Sequence, residues 1–433
     1  MKILLSTYAC DPGTGSESGL GWNWMRQIAR LHEVWVLTQT KERHRIEMAL
    51  AKDPLPNAHC VFADLPSWTR FWKRKGSHWG ENVYYYIWQI WAYLTARRLH
   101  QQVHFDLVHH VTFVRYWMPS FLALLPVPFI WGPVGASESV PDGFLSLFSL
   151  RGRLNELFRA LARLVGELDP FVRVTAKKAM SAFATTEATK ARMKRLGCRQ
   201  VVVYSEAGLT RDEISRLSNL PFLPTQPFRV ISIGRLIQLK GFELSLRAFA
   251  EFRRSFPGSE YWLIGDGPER KRLTNVVENL KIGDCVRFWG SIPRYEVFEK
   301  LSECNTLVHP SLHESGGWVC LEAMAAGRPV VCLDWAGPAV QVTPETGIKI
   351  LPISPDQVVK DLATAMTKLA SEPEFCRRLG QEGRRRIAEH FDWETKADFM
   401  LRIYESALGS TTAESQQRSL DSMDLVKTSR GQY

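Results

Sequence analysis

Two carboxylates with a glycine-bearing loop between them stand in the segment His313-Glu314-Ser315-Gly316-Gly317-Trp318-Val319-Cys320-Leu321-Glu322. Ionised carboxylates accept hydrogen bonds, and the hydroxyls of a sugar or a ribose supply the donors. Ser315, Gly316 and Gly317 are small enough for backbone N–H groups to approach an anion, and the helix that follows points its positive end at the same place. A diphosphate therefore fits between the partners of Glu314 and Glu322. The plain alternative is that Glu322 is an ordinary acid near a helix N-terminus, worth roughly 0.3–1 kcal/mol through the dipole.

Two cations complete this chemistry. Arg235 and Lys240 lie in Gly234-Arg235-Leu236-Ile237-Gln238-Leu239-Lys240-Gly241, directly after an apolar run. A guanidinium fork and an ammonium in one loop suit a nucleotide-diphosphate leaving group, although lone basic residues are more often surface charges. Gly265-Asp266-Gly267-Pro268 closes another strand and reads as a tight turn. His109 and His110 end the strand Asp106-Leu107-Val108-His109-His110, and Trp131-Gly132-Pro133-Val134-Gly135-Ala136-Ser137-Glu138 follows the next one. The first loop, Asp11-Pro12-Gly13-Thr14-Gly15-Ser16-Glu17-Ser18-Gly19, carries an incomplete dinucleotide fingerprint.

The elements that must position these residues alternate between strand and helix. Lys2 to Ser6, Leu20 to Arg30 and Glu33 to Thr38 read as an opening βαβ unit. Further apolar strands fit Cys60 to Phe62, Leu107 to Val111, Phe129 to Trp131, Ala182 to Thr185 and Val201 to Val203. From 209 to 228 periodicity fades and Pro221, Pro224 and Pro227 suit a linker. A second series follows at Arg229 to Ile233, Tyr261 to Ile264, Val286 to Phe288, Thr306 to His309 and Val330 to Leu333. A closing helix is expected near 393–408, and the polar stretch from 409 to 433 reads as a disordered tail. The expected domains are thus 1–208, a linker at 209–228, and 229–392. The fold class is α/β, with two Rossmann-like doubly wound domains facing across a cleft.

A chain of 433 residues exceeds a single core, in agreement with two domains. With 45% hydrophobic and 23% charged residues it has an ordinary globular composition, but 15 Trp and a net charge of +10 are excesses. No apolar run approaches the ~18–20 residues needed to span a bilayer. Met1 to Ala9 reads as a first strand rather than a signal, and Thr7-Tyr8-Ala9 does not suit a lipoprotein reading of Cys10, so a cytoplasmic chain is expected. The 8 Cys show neither metal nor disulfide spacing and read as reduced core thiols.

Taken together, the first loop, Gly234-Arg235-Leu236 to Lys240-Gly241, Ile264-Gly265-Asp266-Gly267-Pro268-Glu269 and the Glu314 to Glu322 pair resemble the retaining glycosyltransferases of family 4, which have the GT-B architecture. The resemblance covers nearly the whole chain. It implies that Arg235 and Lys240 stabilise the departing diphosphate, a contribution often worth several kcal/mol in a dry site. It implies further that Glu314 meets the transferred sugar, Glu322 the donor ribose, and Ser315, Gly316 and Gly317 the sugar through their backbone. The commonest family loop reads Glu-Pro-Phe-Gly where this chain has Glu314-Ser315-Gly316-Gly317. By the same resemblance, Gly234 belongs to the donor site, the first loop with Gly15 meets the donor phosphate or the acceptor, and Gly265 and Gly267 border the nucleobase unless they form only a turn. Glu17 is either an acceptor-facing acid or a helix-start residue, and Glu138 belongs to the acceptor side. Many relatives place a His-x-His near the sugar. Here Val111 occupies the second place, so His110 is taken as the cleft residue, with a structural role for both His109 and His110 as the alternative.

The implied reaction is a retaining, hexosyltransferase-type transfer from a nucleotide-diphosphate sugar, in which the departing phosphate takes the acceptor proton. It uses no cofactor and no metal, and the chain has no Asp-x-Asp motif. A nicotinamide oxidoreductase fails because neither domain has an intact fingerprint, and hydride transfer leaves Arg235, Lys240 and the two Glu unexplained. A nucleotide-sugar epimerase, a phosphorylase and a non-catalytic carbohydrate-binding descendant remain as alternatives within the architecture.

The basic and aromatic excess concentrates at Trp68 to Lys75 and at Tyr84 to Leu94, with a further amphipathic run from Leu154 to Leu164 among arginines. Such residues suit a monotopic contact with an anionic membrane surface, although Tyr84, Trp88, Trp91 and Leu94 at helical spacing also suit a core. No nucleic-acid partner is expected, because the charge is interleaved with Trp rather than banked along a groove. The resulting expectation is a transferase on the cytoplasmic face of the plasma membrane, acting on a glycan or lipid-linked acceptor in cell-surface polysaccharide synthesis.

Overall fold

The computed structural model describes residues 1–13, 17–66, 69, 78–221 and 227–409. Gly15, the Trp68 to Lys75 cluster apart from Thr69, and the tail from 410 lie outside the described residues.

Two all-parallel sheets carry the architecture. The first has the order β3-β2-β1-β4-β5-β6-β7, from β1 (Lys2–Thr7), β2 (Glu33–Thr38), β3 (Ala58–Phe62), β4 (Leu107–Thr112), β5 (Phe129–Val134), β6 (Ala179–Ala184) and β7 (Val201–Val203). The second has the order β10-β9-β8-β11-β12-β13, from β8 (Arg229–Ile233), β9 (Glu260–Ile264), β10 (Val286–Gly290), β11 (Thr306–His309), β12 (Val330–Leu333) and β13 (Gly347–Ile350). Both orders reverse direction after the first strand, at β1/β4 and at β8/β11. In open α/β sheets such a switch point opens a crevice at the strands' carboxyl ends, where ligands bind. Strands buried on both faces read as continuous apolar runs, which is why these runs were visible in the sequence.

By contact the chain divides into one unit of residues 1–137, 161–206 and 393–433, and another of 138–160 and 207–392. In the first unit, one sheet face packs helices Glu17–Ala29 and Trp393–Ala407 through Trp24, Trp393 and Tyr404. The other face packs helix His78–Val103 through Tyr84, Tyr85 and Trp88. Tyr84 and Trp88 fit the core reading of that helix, but Trp91 and Leu94 do not, being 40% and 42% exposed. The second unit has its own core, centred on Val230, Leu263, Val308 and Val331 with helices Phe242–Arg253 and Pro355–Ser371.

Two local differences from the sequence reading have physical causes. The 209–228 stretch contains helix Arg211–Ser218, because Thr210 accepts from the Glu213 N–H while Glu213 accepts from the Thr210 N–H. Strand β13 follows no long apolar run: it is an edge strand, paired only with β12. All eight cysteines are free.

Candidate active site

In the second unit the candidate site is assembled after β8 and β11. The turn after β8 carries Gly234 and Arg235, and a short 3₁₀ turn, Gln238–Lys240, ends on Gly241 with φ 64°. A Cβ on Gly241 would overlap the Pro310 carbonyl oxygen. The Leu312 N–H donates to the Leu239 carbonyl at 2.8 Å. These contacts lay the Lys240 turn against the 310–314 loop, where Lys240 Nζ pairs with Glu314 Oε2. His309, the last residue of β11, brings Nε2 to 3.6 Å from the same oxygen, too far for a hydrogen bond but near enough to be felt electrostatically. Burial opposes ionisation of Glu314, yet Lys240 and His309 together hold its carboxyl well below the usual range. Burial and Lys240 push the His309 imidazole down against the pull of Glu314. The net arrangement is an ionised carboxylate, an ammonium and a buried imidazole that favours neutrality.

The loop after Glu314 is pinned from one side. The Gly337 N–H donates to the Glu314 carbonyl at 2.8 Å. The Gln341 amide donates to the Gly316 carbonyl. Gly317 has φ 56° and caps helix Trp318–Ala325, which places Glu322 on the second turn of that helix. Glu322 is buried, and Arg294 engages it through Nε at 2.8 Å and Nη2 at 2.7 Å, while Arg294 Nη1 pairs with Glu213. Burial raises the Glu322 pKa and Arg294 works against that rise.

Gly265 and Gly267 have a clear structural duty. A Cβ at Gly265 would overlap the Gly234 carbonyl and one at Gly267 the Leu236 carbonyl. The Gly234 N–H reaches the Ile264 carbonyl and the Leu236 N–H the Asp266 carbonyl, both at 2.9 Å. The two loops thus lie backbone on backbone, with Arg235 between these bonds. Arg235 is exposed and forms no ion pair among the described residues. Glu138 is also in this unit and is buried.

In the first unit, β4 alternation sends its two histidines to opposite faces. His109 receives the Tyr404 hydroxyl at Nδ1 (2.6 Å) and donates from Nε2 to the Gly132 carbonyl (2.6 Å), a fully used, neutral structural imidazole. Burial pushes it down to about 4. His110 shares a 3.0 Å hydrogen bond with Tyr85 through Nε2, and burial pushes it down to about 3. Both are neutral at physiological pH. Glu17 begins helix Glu17–Ala29 and accepts from the Phe113 N–H, where the backbone has φ 59°. Its carboxyl therefore has a defined local task beyond starting the helix.

The structure thus brings together Lys240, Glu314 and the Gly316-Gly317 loop, and sets Arg294 on Glu322. His309, Arg294, Gly337 and Gln341 were not anticipated. Gly337-Pro338 and the short interval between His309 and Glu314 were the available signals, but neither reveals a partner without the tertiary fold.

Residues 216–386 match the family model described as "Glycosyl transferases group 1". Most of the second unit thus matches the group 1 glycosyltransferases. The glycogen synthase of Mycobacterium tuberculosis is 30% identical to the chain over 185 residues, 42% of this chain and 44% of that protein. The lipopolysaccharide core biosynthesis glycosyltransferase LpsD of Rhizobium meliloti is 30% identical over 182 residues, 42% of this chain and 50% of that protein. The chain thus spans half or less of the length of these curated relatives. Anabaena Alr3699/HepE, solved in complex with UDP, aligns with TM-score 0.58 and 15% identity over 94% of this chain and 99% of that one. Around the group 1 domain the chain therefore has the GT-B fold, two Rossmann-like doubly wound sheets in one polypeptide.

Proposed function

We propose that this chain is a retaining glycosyltransferase that moves a sugar from a nucleotide-diphosphate donor to a glycan or lipid-linked acceptor in cell-surface polysaccharide synthesis. The observation that carries the reading is the Lys240–Glu314 ion pair beneath the turn that holds Arg235, inside the group 1 domain. When a donor enters, its diphosphate competes with Glu314 for Lys240, Arg235 adds a fork for the phosphate oxygens, and Glu314 is freed to accept from sugar hydroxyls. Charge that develops on the leaving diphosphate is met by these two cations, so the reaction needs no metal. The freed phosphate oxygen takes the acceptor proton on the face the leaving group vacates. That course gives retention without a covalent enzyme intermediate.

The UDP bound to Alr3699/HepE and the lipopolysaccharide role in the name of LpsD support a nucleotide donor and a surface-glycan acceptor. Among the described residues no helix is long and apolar enough to cross a membrane. The reading includes peripheral contact with an anionic membrane surface at the cytoplasmic face.

Calorimetric titration of UDP, GDP and ADP against the wild type and Arg235→Ala tests the donor site. One nucleotide should bind and weaken by roughly 10–100-fold in the variant, the worth of a charge-assisted pair. If no nucleotide binds folded protein, the reading gives way to a non-catalytic carbohydrate-binding role. Transfer that stops on adding a chelator would overturn metal independence.

A further inference from the structure

Helix Leu150–Leu168 is turned inside out for a protein in water. Its leucines 150, 154, 157, 161, 164 and 168 are 47–78% exposed. Phe158 and Val165 beside them are also exposed. At ~100° per residue these eight side chains occupy one arc of about 120° along the helix. The opposite side is where its small and acidic residues go. Glu156 is buried and paired with Arg159. Glu167 accepts from Tyr116 and Arg192, each at 2.8 Å. Gly166 lies so close to Trp117 that a Cβ would overlap its carbonyl oxygen. The inward side is therefore fixed by close backbone approach and paired acids, and the helix cannot roll its leucines into the core without breaking both.

A contiguous apolar stripe of this length is a contact surface rather than scattered surface hydrophobicity. Charge decides its occupant. At the N-terminal turn of the stripe Arg151 and Arg153 border it on its two sides and are exposed, Arg153 also donating to the Leu145, Ser146 and Phe148 carbonyls, whereas the acids of the helix are turned inward. The 4-3-4-3-4 spacing of the leucines would also suit pairing with a second copy, but a self-paired seam needs alternating charge at its flanks, and the two charges that border this one, Arg151 and Arg153, are both basic. An interfacial helix with arginines bordering an apolar face is what anionic headgroups and acyl chains receive together. The whole chain adds a net charge of +10.

We propose that the outer face of helix Leu150–Leu168 inserts into the interfacial region of an anionic lipid bilayer and is the element that docks this protein on a membrane. The proposal deepens the peripheral-contact part of the reading above and rests on it, and it is independent of the donor chemistry.

The test uses the full chain and sucrose-gradient flotation with phosphatidylcholine vesicles, with and without about 30 mol% phosphatidylglycerol. Wild type should float with the anionic vesicles at low salt and not with the neutral ones. The triple variant Leu157→Gln, Leu161→Gln, Leu164→Gln should lose binding on the order of tenfold or more, and Arg151→Glu should weaken it by a smaller factor. All three substituted leucines are exposed, so the melting temperature should hold; the single Leu161→Gln gives the same reading with a smaller change if it does not. Wild type that stays at the bottom of the gradient overturns the proposal, as does a triple variant that floats equally well. A dimer seen by sedimentation equilibrium that the triple variant dissolves, without flotation of the wild type, assigns the stripe to a second copy instead. Nucleotide titration of the same samples keeps the two readings apart: a protein that binds nucleotide but does not float loses only this inference, and one that floats without binding nucleotide loses only the donor site.

Discussion

Arg294 grips one oxygen of Glu322 twice, with Nε at 2.8 Å and Nη2 at 2.7 Å from Oε1, and reaches Glu213 with its remaining arm. Three elements, helices Arg211–Ser218, Arg294–Ser302 and Trp318–Ala325, are tied by one guanidinium. Because Arg294 uses only Oε1, Oε2 of Glu322 is spared as an acceptor for a hydroxyl. Removing Arg294 leaves a buried carboxylate without its counter-charge, a loss of roughly 3 kcal/mol. Arg294→Ala should shift the urea midpoint accordingly and weaken nucleotide binding. Arg294→Lys should recover part of the stability through its charge but not the fork geometry. An Arg294→Ala protein as stable as wild type would mean that Glu322 is held by something other than this contact.

Much of the fold was legible because parallel strands buried on both faces must be apolar throughout, so Arg229–Ile233 and Val330–Leu333 stand out in the sequence. Strand Gly347–Ile350 did not, since its interior Ile-Lys pair is half-buried at an edge and carries no run. Of the candidate site, unusual composition singled out Glu314, Glu322, Arg235 and Lys240, of which the structure pairs Lys240 with Glu314. The site was opaque where the role depends on distance across the fold. Nothing in the sequence sets Gly337 under Glu314 or Arg294 on Glu322, and His309 reads as one more strand residue until β8 and β11 are paired. His109 shows a role the sequence left open: a structural task was the alternative for both strand-end histidines, and the contacts of His109 with Tyr404 and Gly132 give it one.

Gly337 is predicted to be among the least replaceable residues outside the Glu314 loop. Its N–H holds the Glu314 carbonyl at 2.8 Å, and a Cβ would overlap the Ser315 carbonyl oxygen. Backbone cannot yield as a flexible side chain can, so Gly337→Ala must displace the loop that carries the carboxylate. The expected cost is about 1–3 kcal/mol in chemical denaturation, with a larger proportional loss of donor-sugar affinity than of free nucleotide affinity. Unchanged affinity for the sugar conjugate would detach Glu314 from sugar recognition.

The Lys240–Glu314 pair gives the second unit a signed dependence on acid. Burial alone would raise the Glu314 pKa, but Lys240 and His309 bring it below the ordinary value of 4.5. The folded state then binds fewer protons than the unfolded chain, and the stability this provides is full above about 4.5 and lost as pH falls below it. Glu314→Gln should therefore flatten the acid limb of a stability–pH curve while lowering transferase turnover. Lys240→Met should lower stability at neutral pH by leaving Glu314 partly buried and unpaired. Identical acid limbs for wild type and Glu314→Gln would assign that limb to other carboxylates.

Lys396 gives the first unit a slope of the same sign in the alkaline range, but from a buried charge that is unfavourable rather than paired. Its ammonium is buried on helix Trp393–Ala407, donates to the Ser205 carbonyl at 2.7 Å and lies 3.8 Å from the Tyr204 ring centroid. Desolvation outweighs the attraction of Glu206 and brings its pKa from 10.5 down to about 7. Between about 7 and 10.5 the unfolded chain carries a proton that the folded chain has shed, so stability rises with pH across that window. Below it the folded state must hold a buried charge compensated by the Ser205 carbonyl, the Tyr204 and Trp393 rings and the attraction of Glu206. Lys396→Met removes the titration and should flatten the slope between pH 7 and 10.5. It also leaves the Ser205 carbonyl without this donor, which limits any gain at neutral pH. Thermal melts of both proteins at several pH values in this range decide the matter: a slope that persists in Lys396→Met places the titrating group elsewhere.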